Sequence, residues 1–133
     1  MTLLDQFTRN IYRGTAAAFS GDELAISLAT QAIAAQRHQR LPVIHRVFLA
    51  IPFEHSEVLS VQEQGITVFD QLLGEPEIAA HPELGTAVAG YRNYAVAHRD
   101  VIEQFGRFPH RNAILGRKSS VAEIDYLSKH GGF

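Results

Sequence analysis

The sequence of 133 residues contains no cysteine. This absence excludes disulfide scaffolds, thiol nucleophiles and cysteine-ligated zinc, and it favours a reducing compartment, so we expect a cytoplasmic protein. An excess of charge is also lacking, because the formal net charge is only −2. Such a chain has no overall field that attracts nucleic acid or an anionic membrane, so nucleic acid and membrane are not expected partners and any anion binding must be local.

Long hydrophobic runs are missing as well. The longest, around residues 47–53, is interrupted by Pro52 and is far shorter than the ~20 residues that a membrane-spanning helix requires. The first residues show no basic stretch followed by an apolar segment and a cleavage site, so we expect no signal peptide. Hydrophobic residues nevertheless make up 46% of the chain. This composition and length predict one domain over residues 1–133 with a buried core.

Apolar residues recur three and four positions apart in several segments, which is the spacing that places side chains on one face of a helix. The pattern predicts helices that begin near residues 1, 22, 42, 57, 84 and 120. Asp22 is expected to cap the second helix, and Pro52 is expected to break or kink the third. Ser120 and Glu123 form a capping box before the last helix. No stretch alternates with period two, so the predicted fold is all-α, with helix hairpins packed as an irregular bundle or an α-solenoid fragment.

Positive charge is concentrated in the connection at residues 106–119, which contains Arg107, His110, Arg111, Arg117 and Lys118. Guanidinium groups present planar forks of donors that match carboxylate and phosphate oxygens, so this segment predicts an anion pocket. The alternative is that the arginines pair with acidic residues of the same chain and tie a long loop to the body. Both interpretations stay open at the level of sequence.

A second polar cluster follows the apolar stripe of the third helix and contains Glu54, His55, Ser56 and Glu57. Carboxylate and imidazole side chains bind divalent metals and also act as general acid–base pairs. Glu54, His55 and Glu57 are therefore candidates for either role. The spacing is weak evidence for a metal, because metalloprotease helices carry two histidines four residues apart and only one is present here. Ser56 is better explained as a helix cap than as a nucleophile.

A third polar cluster lies in the first predicted helix and contains Asp5, Arg9, Asn10 and Arg13. Asp5, Arg9 and Arg13 are four residues apart and stack along one helical face. A solvated ion pair worth only ~0.5 kcal/mol is the favoured explanation for them.

Together these motifs resemble the bacterial domain-of-unknown-function family 924. The resemblance covers nearly the whole chain and rests on Asp5-Gln-Phe-x-Arg-Asn10 with Arg13-Gly-Thr15, Pro52-Phe-Glu-His-Ser-Glu57, and Arg107-Phe-Pro-His-Arg-Asn112 with Leu115-Gly-Arg117. It implies a tetratricopeptide-like helical fold. It also implies a shortened N-terminus, because family members continue upstream of the first motif. The apolar face of the first helix is then expected to lack cover, which favours a homo-oligomer or a protein partner.

We expect the three motifs to converge at one binding site. The candidate ligand-binding residues are Asp5, Arg9, Asn10, Arg13, Glu54, His55, Glu57, Arg107, His110, Arg111, Asn112 and Arg117. The favoured hypothesis is a helical binding module for a small anionic ligand or the carboxylates of a partner. The alternatives are a hydrolase that uses Glu54, His55 and Glu57, with or without a divalent metal, and a protein-interaction scaffold. The sequence assigns no catalytic residue, metal or cofactor.

Overall fold

The computed structural model describes residues 2–133, and within this range it contains helices and no strand, which confirms the all-α class. The α-helices are α1 (Thr8–Ile11), α2 (Asp22–Ala34), α3 (Val43–Glu54), α4 (Leu59–Leu73), α5 (Pro76–Ala80), α6 (Pro82–Phe105) and α7 (Val121–His130). A π-helical segment, Leu3–Phe7, leads directly into α1. Short 3-10 turns lie at Ala16–Phe19, Arg37–Arg40 and Pro109–Arg111. The single domain and the tetratricopeptide-like arrangement stay predictions.

The main core lies where α4 packs against α3 on one side and α6 on the other. Apolar residues four positions apart on α3, such as Val43 and Val47, are fully buried against Phe69 and Leu72 of α4 and Val88 of α6. A smaller core joins α2 to α3. This packing fixes the C-terminal end of α3 beside the second half of α6, which is where the polar motifs gather.

The last turn of α3 continues through Pro52 and ends at Glu54, so of the two predicted effects of Pro52 the break is wrong and the kink stays a prediction. Proline removes a single amide donor, and the helix ends two residues later, where little intrahelical bonding is left to lose. The ring of Pro52 is fully buried together with Phe53, and this burial holds the last turn in place. The consequence is that Glu54 and His55 lie at the C-terminal end of a helix rather than in a loop.

The predicted capping role of Asp22 is also wrong. Gly21 precedes α2 without any side-chain cap, and both carboxylate oxygens of Asp22 instead accept hydrogen bonds from Nη2 of Arg9, at 2.9 and 2.8 Å. A guanidinium partner competes successfully with backbone amides for a carboxylate. The capping box of α7 is confirmed, since Ser120 Oγ accepts from the Glu123 amide and Glu123 accepts from the Ser120 amide.

The first helical segment turns its polar side towards the body of the protein. Asp5 is buried, whereas Leu3, Phe7 and Ile11 are exposed by 68%, 52% and 68%. These three apolar side chains therefore face away from the body of the protein. Within residues 2–133, none of the helices combines the length and the apolar character needed to cross a membrane.

Candidate functional site

A cavity of about 330 Å³ opens between the N-terminal segment, the end of α3, the second half of α6 and the loop that follows α6. Its lining residues are Gln6, Arg9, Ile51, Glu54, His55, Tyr91, Tyr94, His98, Phe108, His110, Arg111 and Phe133. A larger opening of about 460 Å³ lies between α2 and α4, but Glu63 is the one ionisable residue that lines it. The smaller cavity is therefore the better candidate, because it gathers ionisable groups from distant parts of the chain.

Asp5 is the buried acid that orients His55. Its Oδ1 lies 2.5 Å from Nδ1 of His55, its Oδ2 accepts a hydrogen bond of 2.5 Å from Gln6, and Arg9 Nε lies 3.4 Å from Oδ1. Burial alone would raise the pKa of Asp5, but the hydrogen bonds from His55 and Gln6 outweigh it and lower this pKa. Asp5 is consequently an ionised acceptor that fixes the direction of the imidazole.

Arg111 is the cation most deeply set in the site. Its Nη2 donates to the carbonyl of His55 at 3.0 Å, and its Nη1 lies 3.9 Å from Asp22. The guanidinium lies between the rings of Phe19 and Phe108, at 4.4 and 4.6 Å from their centroids. Burial lowers the pKa of Arg111 to about 10, so the group keeps its charge at neutral pH.

Glu54 is a buried carboxyl group, only 5% exposed, with no hydrogen-bond partner at Oε2. Its Oε1 lies 3.8 Å from Nε2 of His55. Burial, together with the negative charge of Asp5, raises the pKa of Glu54 to about 8. Glu54 is therefore largely protonated at neutral pH in the absence of a ligand.

Two further histidines complete the cavity. His98 is buried on α6, its Nδ1 lies 2.8 Å from the carbonyl of Tyr94, and its ring stacks on Phe133 at 3.7 Å. Burial is the main cause that lowers the pKa of both His98 and His110 to about 4. Both rings are consequently neutral at physiological pH. One donor atom from each of Glu54, His55 and His98 lies within 4.8 Å of the others, so these three side chains are the ones that could hold a metal.

Some of the residues predicted from sequence meet at this cavity and others do not. The cavity and the acids directly behind it bring together Asp5, Arg9, Glu54, His55, His110 and Arg111. Asn10 and Arg13 are exposed and bonded only to one another, at 3.3 Å.

The other predicted residues form a separate network that holds the loop after α6. Glu57 accepts hydrogen bonds of 2.6 and 2.8 Å from Arg117 and one of 2.8 Å from the Phe108 amide. Arg117 also donates to Asn112 at 2.9 Å. The hydrogen bonds from Arg117 and from the Phe108 amide outweigh the effect of burial and lower the pKa of Glu57.

Arg107 is engaged outside the cavity, where it forms a two-pronged ion pair of 2.7 and 2.9 Å with Glu123. Arg107 and Arg117 therefore pair with acidic residues of the same chain, which was the alternative interpretation of the basic segment.

The site also includes two residues that are absent from the candidates predicted by sequence. His98 lines the cavity, and Asp22, predicted as a helix cap, lies beside the two arginines that line it. A signal for His98 existed: it lies three residues after Ala95 and three before Val101, so it interrupts the apolar stripe of α6 with a polar ring. Asp22 offered no comparable signal.

The fold and the cavity define an all-α protein in which arginines, histidines and carboxyl groups surround one opening. The chain belongs to the family described as bacterial protein of unknown function (DUF924), whose model matches residues 1–131, and this confirms the resemblance seen in the three motifs. A solved structure of a protein of unknown function from Agrobacterium tumefaciens is similar, with 38% sequence identity and a TM-score of 0.79. The similarity covers 96% of this chain and 64% of that one, so the chain spans less than two thirds of that relative. Among curated proteins no match is found.

Proposed function

We propose that the cavity binds a small molecule through a carboxylate or phosphate group of that molecule. The observation that carries this proposal is Arg111, which lines the cavity, is only 6% exposed and has no hydrogen-bond partner at Nε. A buried guanidinium with free donor capacity costs stability unless a ligand or water completes its hydrogen bonds. Its position between two aromatic rings holds the fork of donors in one orientation, which suits a planar carboxylate or a phosphate face.

The size and surroundings of the cavity support the same proposal. About 330 Å³ lies at the small end of the range for ligand pockets. Arg9 lines the cavity beside Arg111; both guanidinium groups lie near Asp22, and Arg9 also contacts Asp5, so two carboxylates balance the two arginines. His110 adds a neutral ring that donates one hydrogen bond and accepts another. An anion entering here is therefore held by directed hydrogen-bond donors rather than by an excess of positive charge.

Calorimetric titration of protein that has been stripped of metal with EDTA and dialysed free of it tests the proposal with inorganic phosphate, a nucleoside monophosphate and succinate as probes. We expect at least one of these probes to bind, and Arg111→Lys to weaken that binding about tenfold or more, because a lysine does not reproduce the fork. The control is Arg92→Lys, an exposed arginine that pairs with Asp70 on the outside of the helix layer. No heat from any probe, or equal affinity in the wild type and Arg111→Lys, contradicts the proposal.

A hydrolase is the second candidate function, because His55 is oriented by Asp5 and faces Glu54 at 3.8 Å. A carboxyl group beside an oriented imidazole is an arrangement suited to general acid–base catalysis. Glu57, which belonged to the sequence hypothesis, does not line the cavity, and its oxygens are engaged by Arg117 and the Phe108 amide. A phosphatase and esterase panel tests this candidate, and turnover that survives in Glu54→Gln would contradict it.

An interaction scaffold, a homo-oligomer or protein partner, and a cytoplasmic location stay predictions. The internal pairing of Arg107 and Arg117 supports a structural role for those two residues, as a scaffold requires. Sedimentation of the purified protein over a range of concentrations checks for self-association.

A further inference from the structure

Three side chains of metal-ligating type face one another inside the cavity. An oxygen of Glu54 and one ring nitrogen each from His55 and His98 all lie within 4.8 Å of one another. We propose that Glu54, His55 and His98 form a binding site for a divalent transition-metal ion of the zinc type. Two imidazoles and one carboxylate are donors that zinc and its neighbours in the first transition series accept. The metal site does not depend on the anion binding proposed above.

The hydrogen bonds of the two imidazoles engage Nδ1 of each ring and leave Nε2 available to a metal ion. His55 Nδ1 lies 2.5 Å from a carboxylate oxygen of Asp5, and His98 Nδ1 lies 2.8 Å from the carbonyl of Tyr94. Because a carboxylate and a carbonyl only accept, each Nδ1 carries the hydrogen and the neutral ring keeps its lone pair on Nε2. Metal-bound histidines in proteins are almost always held in this way, with the second ring nitrogen bonded to a carboxylate or a backbone carbonyl.

Glu54 supplies a second and independent observation. Its side chain is buried, Oε2 has no hydrogen-bond partner, and Oε1 faces Nε2 of His55. A buried carboxyl group in this state is unexplained by the protein alone, and a metal ion would satisfy it. Glu54 and His55 also lie at the C-terminal end of α3, where the helix dipole favours a cation.

The charges and aromatic groups around the three donors tolerate a cation. When ionised, Asp5, Asp22 and Glu54 outnumber the two neighbouring arginines, Arg9 and Arg111, so the surroundings carry a net negative charge. The ring of Phe133 stacks on one face of His98 at 3.7 Å, so it does not block approach along the plane of the imidazole.

Binding requires only a small closure of the three donors. Zinc bonds of 2.0–2.1 Å place tetrahedral donors about 3.3 Å apart, so donor atoms that now lie within 4.8 Å of one another must approach by up to about 1.5 Å through side-chain rotation. Three protein ligands leave at least one coordination position, which faces the cavity.

The direct test is calorimetric titration of EDTA-stripped protein with zinc chloride and cobalt chloride in a buffer free of phosphate and carboxylate. We expect one ion per chain with a micromolar or tighter dissociation constant, together with the intense visible absorption of four- or five-coordinate cobalt. His98→Asn and Glu54→Gln should weaken binding by more than about 100-fold, and Asp5→Asn by roughly 10- to 100-fold. His45→Asn is the control, because His45 is exposed on the same helix as Glu54 and does not line the cavity, and the affinity of this variant should equal that of the wild type.

A second measurement uses the wild type alone and so does not depend on whether the variants fold. X-ray absorption of the bound zinc should show two imidazole nitrogens in the coordination shell. Absence of binding at millimolar metal, wild-type affinity in His98→Asn with an unchanged circular dichroism spectrum, or a shell without imidazole would overturn the proposal. Because the anion titrations use metal-free protein and the metal titrations contain no phosphate or carboxylate, either proposal can fail while the other stands.

Discussion

His110 lies beside Arg111 at the cavity, and its partial burial makes it sensitive to acid. Burial, followed by the charge of Arg111, lowers the pKa of His110 from 6.5 to about 4. The unfolded chain binds this proton near pH 6.5, whereas the folded protein resists it until about pH 4. The stabilisation is therefore complete above pH 6.5 and is lost as the pH falls through this window.

We expect His110→Asn to remove this acid sensitivity. Partial exposure of the ring reduces its effect to about 1–2 kcal/mol between pH 7 and pH 4.5. Urea unfolding at both pH values measures the free energy of unfolding, and the wild type should lose that much more than the variant does. The comparison isolates His110 from other titrating groups, since these are the same in both proteins. A difference between the two proteins that is identical at both pH values would refute the assignment.

At the scale of helical elements, the close approach of α3 and α4 depends on Gly65. A Cβ atom at this position would lie 2.7 Å from Cβ of Phe53, so Gly65→Ala must push the two helices apart or displace a fully buried ring. We expect this substitution to lower the free energy of unfolding by about 1–3 kcal/mol, as measured by urea denaturation.

The control for Gly65 is Gly90 on α6, where an added Cβ meets nothing within 4 Å. Gly90→Ala should leave stability unchanged or raise it by up to ~1 kcal/mol, because alanine is the better helix former. Equal changes in stability from both substitutions would mean that the close approach of Gly65 to Phe53 does not decide the outcome.

The capping box of α7 gives a smaller effect at the same scale. Ser120→Ala removes the hydroxyl that accepts from the Glu123 amide at 3.2 Å, and we expect a loss of about 1 kcal/mol in urea unfolding. Ser128 lies in the same helix and is exposed, bonded only to the carbonyl of Asp125 three residues earlier. Ser128→Ala should therefore cost nothing measurable. A loss of the same size from both variants would show that the cap contributes nothing specific.

The elements that the sequence predicts correctly are those with local signals at their ends. α6 ends at Gly106, whose φ of +70° is a left-handed conformation that favours glycine, and α7 begins with the capping box. Pro52 misleads because burial of the last turn of α3, a tertiary effect, overrides a local breaker. The residues of the site differ in the same way, since some carry a local signal in the sequence and others depend on tertiary contacts. Glu54, His55 and Arg111 stand in polar motifs, whereas His98 and Asp22 acquire their roles only when distant helices meet.

At the scale of the whole molecule, Glu57 connects the loop after α6 to the α3–α4 corner and so supports Phe108 and Arg111 from outside the cavity. Glu57→Gln places an amide donor against Arg117, and we expect a loss of about 2 kcal/mol in unfolding free energy together with faster hydrogen exchange at the Phe108 amide. Asp70→Asn is the control, because it breaks the exposed pair with Arg92 and should change neither measurement. If the Phe108 amide stayed equally protected in Glu57→Gln, the loop would be held by its apolar packing, and Glu57 would have no long-range role in shaping the cavity.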